Sequence, residues 1–277
     1  MPDIADIRRD FATLAAREPI PLARGAFLIA QEEYRDLDID KYLDKIAALA
    51  REAELVVRVG NDTIEKIQLL SHFLFEQKGF DGNSDDYSDP RNSFLNEVLD
   101  RRLGIPITLS ILYIEIGRRL GLNLYGVGFP THFLVKAVDD RGELIIDPFY
   151  DGAILTLEEI RARLTQIYGQ PVEVSPAHLK PVGTRQILVR VLRNLKAVYM
   201  QKADSNRALA ALDRILLLDP RSLEELMERG ALYESLECFK AALDDFQSFL
   251  SQAPEHTASE TAREAVLRLS RQVDRIN

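Results

Sequence analysis

The sequence has very little cysteine: Cys238 is the only one among 277 residues. A single cysteine cannot build an internal disulfide framework, and such usage is typical of proteins in a reducing compartment. The start of the chain is charged from Asp3 onward and lacks the apolar core of a signal peptide. The sequence also has no uninterrupted apolar run near the roughly 18 residues that a membrane span needs. We therefore expect a cytoplasmic protein without a membrane partner.

Clustered basic residues are also missing from the sequence. Its 35 lysines and arginines are outnumbered by 44 aspartates and glutamates, which gives a formal net charge of −9. Nucleic acids and anionic lipids are bound by basic faces, so this balance disfavours both as partners. With 46% hydrophobic and 29% charged residues, the chain resembles ordinary globular proteins in composition. Its length suffices for two domains.

Residues 1–82 carry apolar side chains at helical spacing, which predicts a helical N-terminal part. After a polar loop, a short helix is predicted to end at Gly104. Pro106 then stands where proline is tolerated, in the first turn of a helix that runs to about Leu120. This second helix is apolar nearly all round and therefore belongs in a core.

The stretch after this helix alternates between apolar and polar residues in the manner of β-strands. A turn at residues 139–142 joins two of these strands into a hairpin. In that register Asp147 lies opposite Leu134, which makes Asp147 and His132 diagonal neighbours on one face of the sheet. We therefore predict an α+β core over residues 83–169.

The remainder of the chain is predicted to be a linker followed by repeats. Residues 170–184 contain three prolines, which is typical of a linker. Beyond it, landmark residues recur after 34 positions, the period of the tetratricopeptide repeat. We predict two repeats and a capping helix over residues 185–277. Their concave face would bind a protein or peptide partner, or else dock on the chain's own core. The landmarks are Leu192, Leu195, Tyr199, Ala208, Leu212 and Pro220, matched by Leu226, Arg229, Tyr233, Ala242, Phe246 and Pro254.

Four motifs together resemble the bacterial SirB-type family of the transglutaminase-like superfamily. They are Asn92-Ser-Phe-Leu, Gly104-Ile-Pro-Ile-Thr-Leu-Ser, Phe129-Pro-Thr-His-Phe-Leu-Val and Asp147-Pro-Phe. The resemblance implies an α+β fold with a helical N-terminal part, a papain-like core of helix and antiparallel sheet, and an all-α tail of tetratricopeptide repeats. It also implies that His132 and Asp147 stand at the superfamily's catalytic histidine and aspartate. Pro106 takes the position of the nucleophilic cysteine, and proline offers neither a nucleophile nor an amide donor.

Two functions are compatible with these residues. In the first, the protein is a pseudoenzyme that keeps the pair His132 and Asp147 but acts as a partner-binding or regulatory module. In the second, it is a hydrolase or acyltransferase in which His132 is the general base and water or Ser110 attacks. Ser110 shares a helix side with Pro106 but lies about 6 Å further along the axis. We expect its hydroxyl to bond a backbone carbonyl of its own helix.

Neither a metal nor another cofactor is expected. Asp81, Asn83 and Asp85 imitate the start of a calcium loop. However, Asp86 stands where that loop needs glycine, and Asn92 stands where it needs glutamate. The histidine–aspartate pair has no third ligand at a metal-binding spacing.

Overall fold

The chain folds into two compact units. The computed structural model describes residues 2–276, with side chains up to residue 274. The first unit is Met1–Val191 and the second is Leu192–Asn277. The predicted fold class, α+β with an all-α tail, is confirmed. Between residues 2 and 276, no helix combines the length and the apolar content needed to traverse a bilayer.

Helices make up the first unit as far as residue 77, as the apolar spacing predicts. Two of them begin at an aspartate whose side chain satisfies an otherwise unpaired backbone N–H. Asp38 accepts a hydrogen bond of 3.0 Å from the backbone nitrogen of Lys41, and Asp62 accepts one of 3.0 Å from that of Glu65. The elements are α1 (Ile4–Ala15), α2 (Leu22–Gln31), α3 (Ile39–Val57), α4 (Thr63–Ser71) and a π-helical turn (His72–Gln77).

The apolar helix of the sequence is the buried helix of the first unit. It begins at Pro106, as predicted, and most of its side chains are buried. The preceding helix ends differently from the prediction: Arg102, with φ of 61°, takes the left-handed position expected of Gly104. Gly104 is needed for space instead, because a Cβ there would lie 3.0 Å from Thr108 Oγ1. The elements are β1 (Asp81–Gly82), α5 (Leu95–Arg101), β2 (Leu103–Gly104), which pairs parallel with β1, and α6 (Pro106–Arg119).

A five-stranded antiparallel sheet follows, with the strand order β6-β5-β4-β3-β7. The hairpin has the predicted register, since Val135 pairs with Ile146 and the same alignment sets Leu134 opposite Asp147. Its turn is shorter than the four residues predicted, because Asp139 pairs directly with Gly142. The strands are β3 (Leu124–Val127), β4 (Leu134–Asp139), β5 (Gly142–Asp147), β6 (Ala153–Leu155) and β7 (Pro181–Val182).

Strand β7 corrects the prediction that residues 170–184 are a linker. Val182 pairs with Gly126 and Pro181 with Val127, so this segment adds an edge strand to the sheet. Proline is compatible with an edge strand because only one side of such a strand must supply ladder hydrogen bonds. The segment also contains a short 3-10 helix (Pro176–Leu179), whose Leu179 is buried against the sheet. The prolines therefore did not mark an unpacked linker.

Helix α7 (Leu157–Tyr168) covers one face of the sheet. Thr156 and Glu159 form a reciprocal cap at its first turn, in which each side chain bonds the other residue's backbone nitrogen. Ile160 and Leu164 are buried against the sheet's apolar side chains, including Val127. This packing decides where the polar side chains of α7 lie.

The second unit is helical throughout, as the 34-residue period predicts. The helices are α8 (Thr184–Gln201), whose first residues belong to the first unit, α9 (Ser205–Leu218), α10 (Leu223–Ser235), α11 (Phe239–Gln252) and α12 (Ser259–Ile276). Helices α10 and α11 approach closely at Gly230, where a Cβ would lie 3.1 Å from the Phe246 ring.

Candidate functional site

His132 and Asp147 form an ion pair at the end of the β4–β5 hairpin. The His132 Nε2 atom lies 2.9 Å from Asp147 Oδ1 and 3.0 Å from Oδ2. His132 precedes β4 by one residue and Asp147 is the last residue of β5, so the register of the hairpin brings the two side chains together. The sequence prediction that they are diagonal neighbours matches this geometry.

Asp147 is fully buried and has two further donors. Its Oδ1 accepts a hydrogen bond of 3.1 Å from the backbone nitrogen of Phe149. Its Oδ2 accepts a bond of 2.5 Å from Arg163 Nη1, an arginine of α7. Burial by itself would raise the pKa of Asp147, but His132 and Arg163 together hold that pKa below its usual value. The carboxylate is therefore ionised at neutral pH and shared by the imidazole of His132 and the guanidinium of Arg163.

Arg163 is the site residue that the sequence did not predict. It is separated from Asp147 by a turn, strand β6 and half of α7, so no local spacing relates the two. Only the docking of Ile160 and Leu164 on the sheet brings the arginine to the carboxylate. The one available signal was an arginine on the polar side of a helix that follows the hairpin directly.

Aromatic rings hold the imidazole in place. The Phe149 ring meets the His132 ring edge-on with centroids 5.9 Å apart, and the Tyr150 ring stacks on it at 6.1 Å and 24°. Phe149 is itself confined, because a Cβ at Gly82 would lie 2.7 Å from its ring. The orientation of His132 is therefore set by the carboxylate and by two rings.

Pro106 and Ser110, the two residues of α6 that the sequence singled out, are both buried. Pro106 is buried as the first residue of α6. Ser110 is 0% exposed, and its Oγ has no hydrogen-bond partner among residues 2–276. The prediction that Ser110 bonds a carbonyl of its own helix is therefore wrong. Steric fit inside the core, and not helix geometry alone, decides where this hydroxyl points.

The Asn92 and Gly104 motifs have a structural role. Thr108 Oγ1 donates a 2.7 Å bond to the carbonyl of Asn92 and accepts a 3.1 Å bond from the nitrogen of Ile105. Asn92 is buried, and its Oδ1 accepts a 3.0 Å bond from Asn83. The loop that imitates a calcium site is thus tied to the side-chain amide of Asn92, and the backbone carbonyl of Asn92 is tied to the start of α6. Within residues 2–276, no three His, Cys, Asp or Glu side chains are grouped so as to hold a metal.

A cavity of 480 Å³ opens beside the ion pair, and we call it the His132 pocket. Arg163 is 30% exposed at its side chain and stands in its wall, with its guanidinium 5.4 Å from the centre of the Tyr150 ring. The pocket is lined by Phe129, Thr131, His132, Tyr150, Arg163, Gln166 and Ile167.

The second unit contains a larger cavity of 710 Å³ between α8 and α10, which we call the repeat groove. Ion pairs cross it: Arg193 Nε lies 2.7 Å from Glu225 Oε1, and Lys196 pairs with Glu228. The groove is lined by Arg193, Lys196, Ala197, Met200, Glu224, Glu225, Glu228, Ala231, Leu232 and Ser235.

Two family models match this arrangement. Residues 40–193 match a model of the transglutaminase-like superfamily, and residues 195–267 match a tetratricopeptide repeat model. The class of protein is therefore a transglutaminase-like domain followed by tetratricopeptide repeats, as the motifs and the period predicted.

Bacterial relatives resemble the chain over most of their length. A UPF0162 protein of Xylella fastidiosa (strain Temecula1) is 41% identical over 240 residues, which cover 86% of this chain and 85% of the relative. One from Vibrio cholerae serotype O1 is 30% identical over 255 residues, with 91% and 94% covered. The UPF0162 protein YchA of Escherichia coli K12 is 27% identical over 247 residues, with 88% and 90% covered. The chain belongs to this bacterial UPF0162 family, which confirms the SirB-type resemblance.

A crystal structure of menin also aligns, at a TM-score of 0.44 and 12% identity, over 99% of this chain and 75% of that one. This likeness is too low to support an argument about fold or function.

Proposed function

We propose that the protein is a non-catalytic, cytoplasmic, partner-binding protein that acts in regulation and holds a segment of another protein in its repeat groove. The groove is the observation that carries this proposal. Tetratricopeptide repeats generally bind proteins, and here the exposed Met200 lies beside Ala197 and Ala231, one on each of the two helices. Side chains this small leave room for an extended or helical segment.

The charge of the groove indicates the kind of segment that fits. Three glutamates line it against one arginine and one lysine, so acidic groups exceed basic ones by one. Glu224 is exposed, whereas Glu225 is engaged by Arg193. An apolar segment with basic flanking residues complements this lining better than an acidic one.

The first unit supports the non-catalytic part of the proposal. A proline at the nucleophile's position cannot attack a substrate, and the hydroxyl of Ser110, on the same side of α6, is fully buried. Asp147 also accepts a hydrogen bond from Arg163, whereas the aspartate of a catalytic triad serves to orient the histidine.

The test is capture of partners by the full chain from an extract of the native host. Ala231→Arg fills the groove, whereas Leu267→Arg adds the same side chain on exposed α12, outside the groove lining. We expect at least one protein to be retained by the wild type and by Leu267→Arg, and lost from Ala231→Arg. Circular dichroism of each variant verifies that it is folded. Identical sets of retained proteins in all three samples would contradict the proposal.

A hydrolase or acyltransferase is the second candidate, favoured by one observation: the paired His132 lines an open pocket. In this mechanism the imidazole removes a proton from a water molecule, which attacks an ester or amide carbonyl, and Asp147 stabilises the imidazolium. A screen of ester, thioester and amide substrates with wild type and His132→Ala tests it. Turnover present in the wild type and absent in the variant would establish this function over the first.

A further inference from the structure

We propose that the His132 pocket binds a carboxylate group carried by an apolar or aromatic body. The site lies in the first unit and does not depend on the repeat groove. Its seven lining residues include an arginine and a histidine but no aspartate or glutamate. This is an unusual surface for a chain with a net charge of −9. A wall with only cationic charge attracts an anion.

The ion pair leaves donors for that anion. Among residues 2–276, hydrogen bonds of the Arg163 guanidinium use Nη1 alone, and those of the His132 ring use Nε2 alone. Arginine has five N–H donors in a planar fork, so further donors remain beyond the one that Asp147 uses. The fork thus offers two or more charge-assisted hydrogen bonds to one ligand.

The charge balance favours a monoanion. Among the lining residues Arg163 alone carries a permanent charge, and the negative charge of Asp147 is 0% exposed. A single cationic fork in the wall matches a carboxylate. A phosphate dianion would bring more negative charge than this wall offsets.

The other lining residues of the His132 pocket determine which chemical group can carry the carboxylate. Phe129, Ile167 and the ring of Tyr150 form an apolar surface next to the cationic end, and Tyr150 is 56% exposed. The exposed Gln166 adds an amide at the rim. A cavity of 480 Å³ falls in the range of about 300–1,000 Å³ that small-molecule sites occupy. Both the end of a peptide chain with an apolar last residue and a free aromatic acid have this chemistry.

The experiment is a titration of the full chain with each probe. Binding is measured by calorimetry and by the NMR signals of the His132 ring. The probes are phenylacetate and its neutral isostere phenylacetamide, together with acetyl-leucyl-phenylalanine as the free acid and as the amide. We expect each acid to bind at least about tenfold more tightly than its amide, as loss of a charge-assisted bond implies. Tighter binding of the peptide acid identifies a chain end as the ligand, and tighter binding of phenylacetate identifies a free acid.

Three variants locate the binding. Arg163→Gln removes the guanidinium, and Gln166→Glu places a negative charge at the rim while leaving the contacts of Asp147 unchanged. Arg161→Gln is the matched control, because it makes the same substitution on an exposed residue of α7 that is outside the pocket lining. We expect losses of about tenfold or more for the first two variants and less than about twofold for the control.

Several outcomes would overturn the proposal. The first is equal affinity for acids and amides, and the second is an equal loss in Arg161→Gln and Arg163→Gln. A third is the absence of any binding of an acid up to about 10 mM. Tighter binding of inorganic phosphate than of either acid would overturn the assignment to a carboxylate. Because Gln166→Glu does not touch the ion pair, its result stands even if Arg163→Gln fails to fold.

Discussion

Among the side chains that the structure describes, each unit has one carboxylate with no solvent exposure, and the two are compensated in different ways. Asp147 in the first unit and Glu225 in the second are both 0% exposed. Asp147 is held by His132 and Arg163, whereas Glu225 is held by Arg193, with Lys196 3.7 Å away. For both carboxyl groups, burial alone would raise the pKa, and the cationic partners hold the pKa below its usual value.

The surroundings of the two carboxylates differ in the charge that they leave at the surface. Around Asp147 the lining of the His132 pocket contains one arginine and one histidine and no acidic side chain. Around Glu225 the repeat groove contains three glutamates and two basic residues. In our two proposals, the same local arrangement therefore accompanies an anion site in one cavity and a site for an apolar or basic segment in the other. A buried ion pair has to be interpreted together with its neighbours before it indicates a function.

The largest expected effect is the loss of Asp147. Asp147→Ala leaves His132 and Arg163 without their shared counter-charge, and breaking a buried pair in this way costs about 3–5 kcal/mol. Urea denaturation, followed by near-ultraviolet signals of the tyrosine-rich first unit, measures the change. Asp140→Ala removes an exposed charge from the turn of the same hairpin and should stay within about 0.5 kcal/mol. Similar losses of unfolding free energy in the two variants would show that the buried charge of Asp147 contributes no more to stability than an exposed charge in the same hairpin.

Acid should weaken the first unit through the same residue. The pKa of Asp147 is lowered in the folded state, so its stabilising contribution is complete above the unfolded pKa of about 3.9. The contribution declines below that value and is lost as the pH falls through the folded pKa. Unfolding free energies measured from pH 6 to the acid limit should fall less steeply in Asp147→Asn than in the wild type, although that variant starts from a lower stability. Parallel curves would mean that other carboxyl groups govern acid unfolding.

A smaller effect is expected for the carboxylate of the second unit. Glu225→Gln keeps the side-chain volume but removes the charge that Arg193 and Lys196 share, which costs about 1.5–3 kcal/mol. The loss is smaller than for Asp147→Ala because Arg193 is partly exposed and water can solvate it. Glu224→Gln, on the adjacent exposed residue of the same groove, is the control and should change stability by less than about 0.5 kcal/mol. If both substitutions are neutral, the groove's ion pairs do not stabilise the repeats.

Local sequence pattern predicted the parts of the molecule that depend on neighbouring residues. The all-apolar composition of α6 indicated a buried helix, and the alternation around Asp139–Gly142 gave the hairpin register that brings His132 to Asp147. The 34-residue period gave the helices of the second unit. In each case the information lies within one or two adjacent elements.

The parts that were missed depend on how distant elements pack. Arg163 reaches Asp147 only because α7 docks on the sheet, and Arg193 reaches Glu225 across 32 residues. Strand β7 pairs with β3 across more than 50 residues of sequence. The proline in β7 had indicated only a linker. The surroundings of Ser110 were also missed, because the local sequence does not show how a side chain packs inside a core.

The smallest expected change in stability is that of Ser110→Ala. It distinguishes a buried hydroxyl without a partner from one that has partners. Like Asp147, Ser110 is polar and fully buried, but its Oγ has no partner among residues 2–276. An unsatisfied buried hydroxyl is a cost to folding, so Ser110→Ala should leave the stability unchanged or raise it by up to about 1 kcal/mol. Thr108→Val, two residues earlier in α6, removes a buried hydroxyl that has partners and should cost about 1–2 kcal/mol. An equal loss in both variants would mean that the Ser110 hydroxyl bonds a buried water molecule.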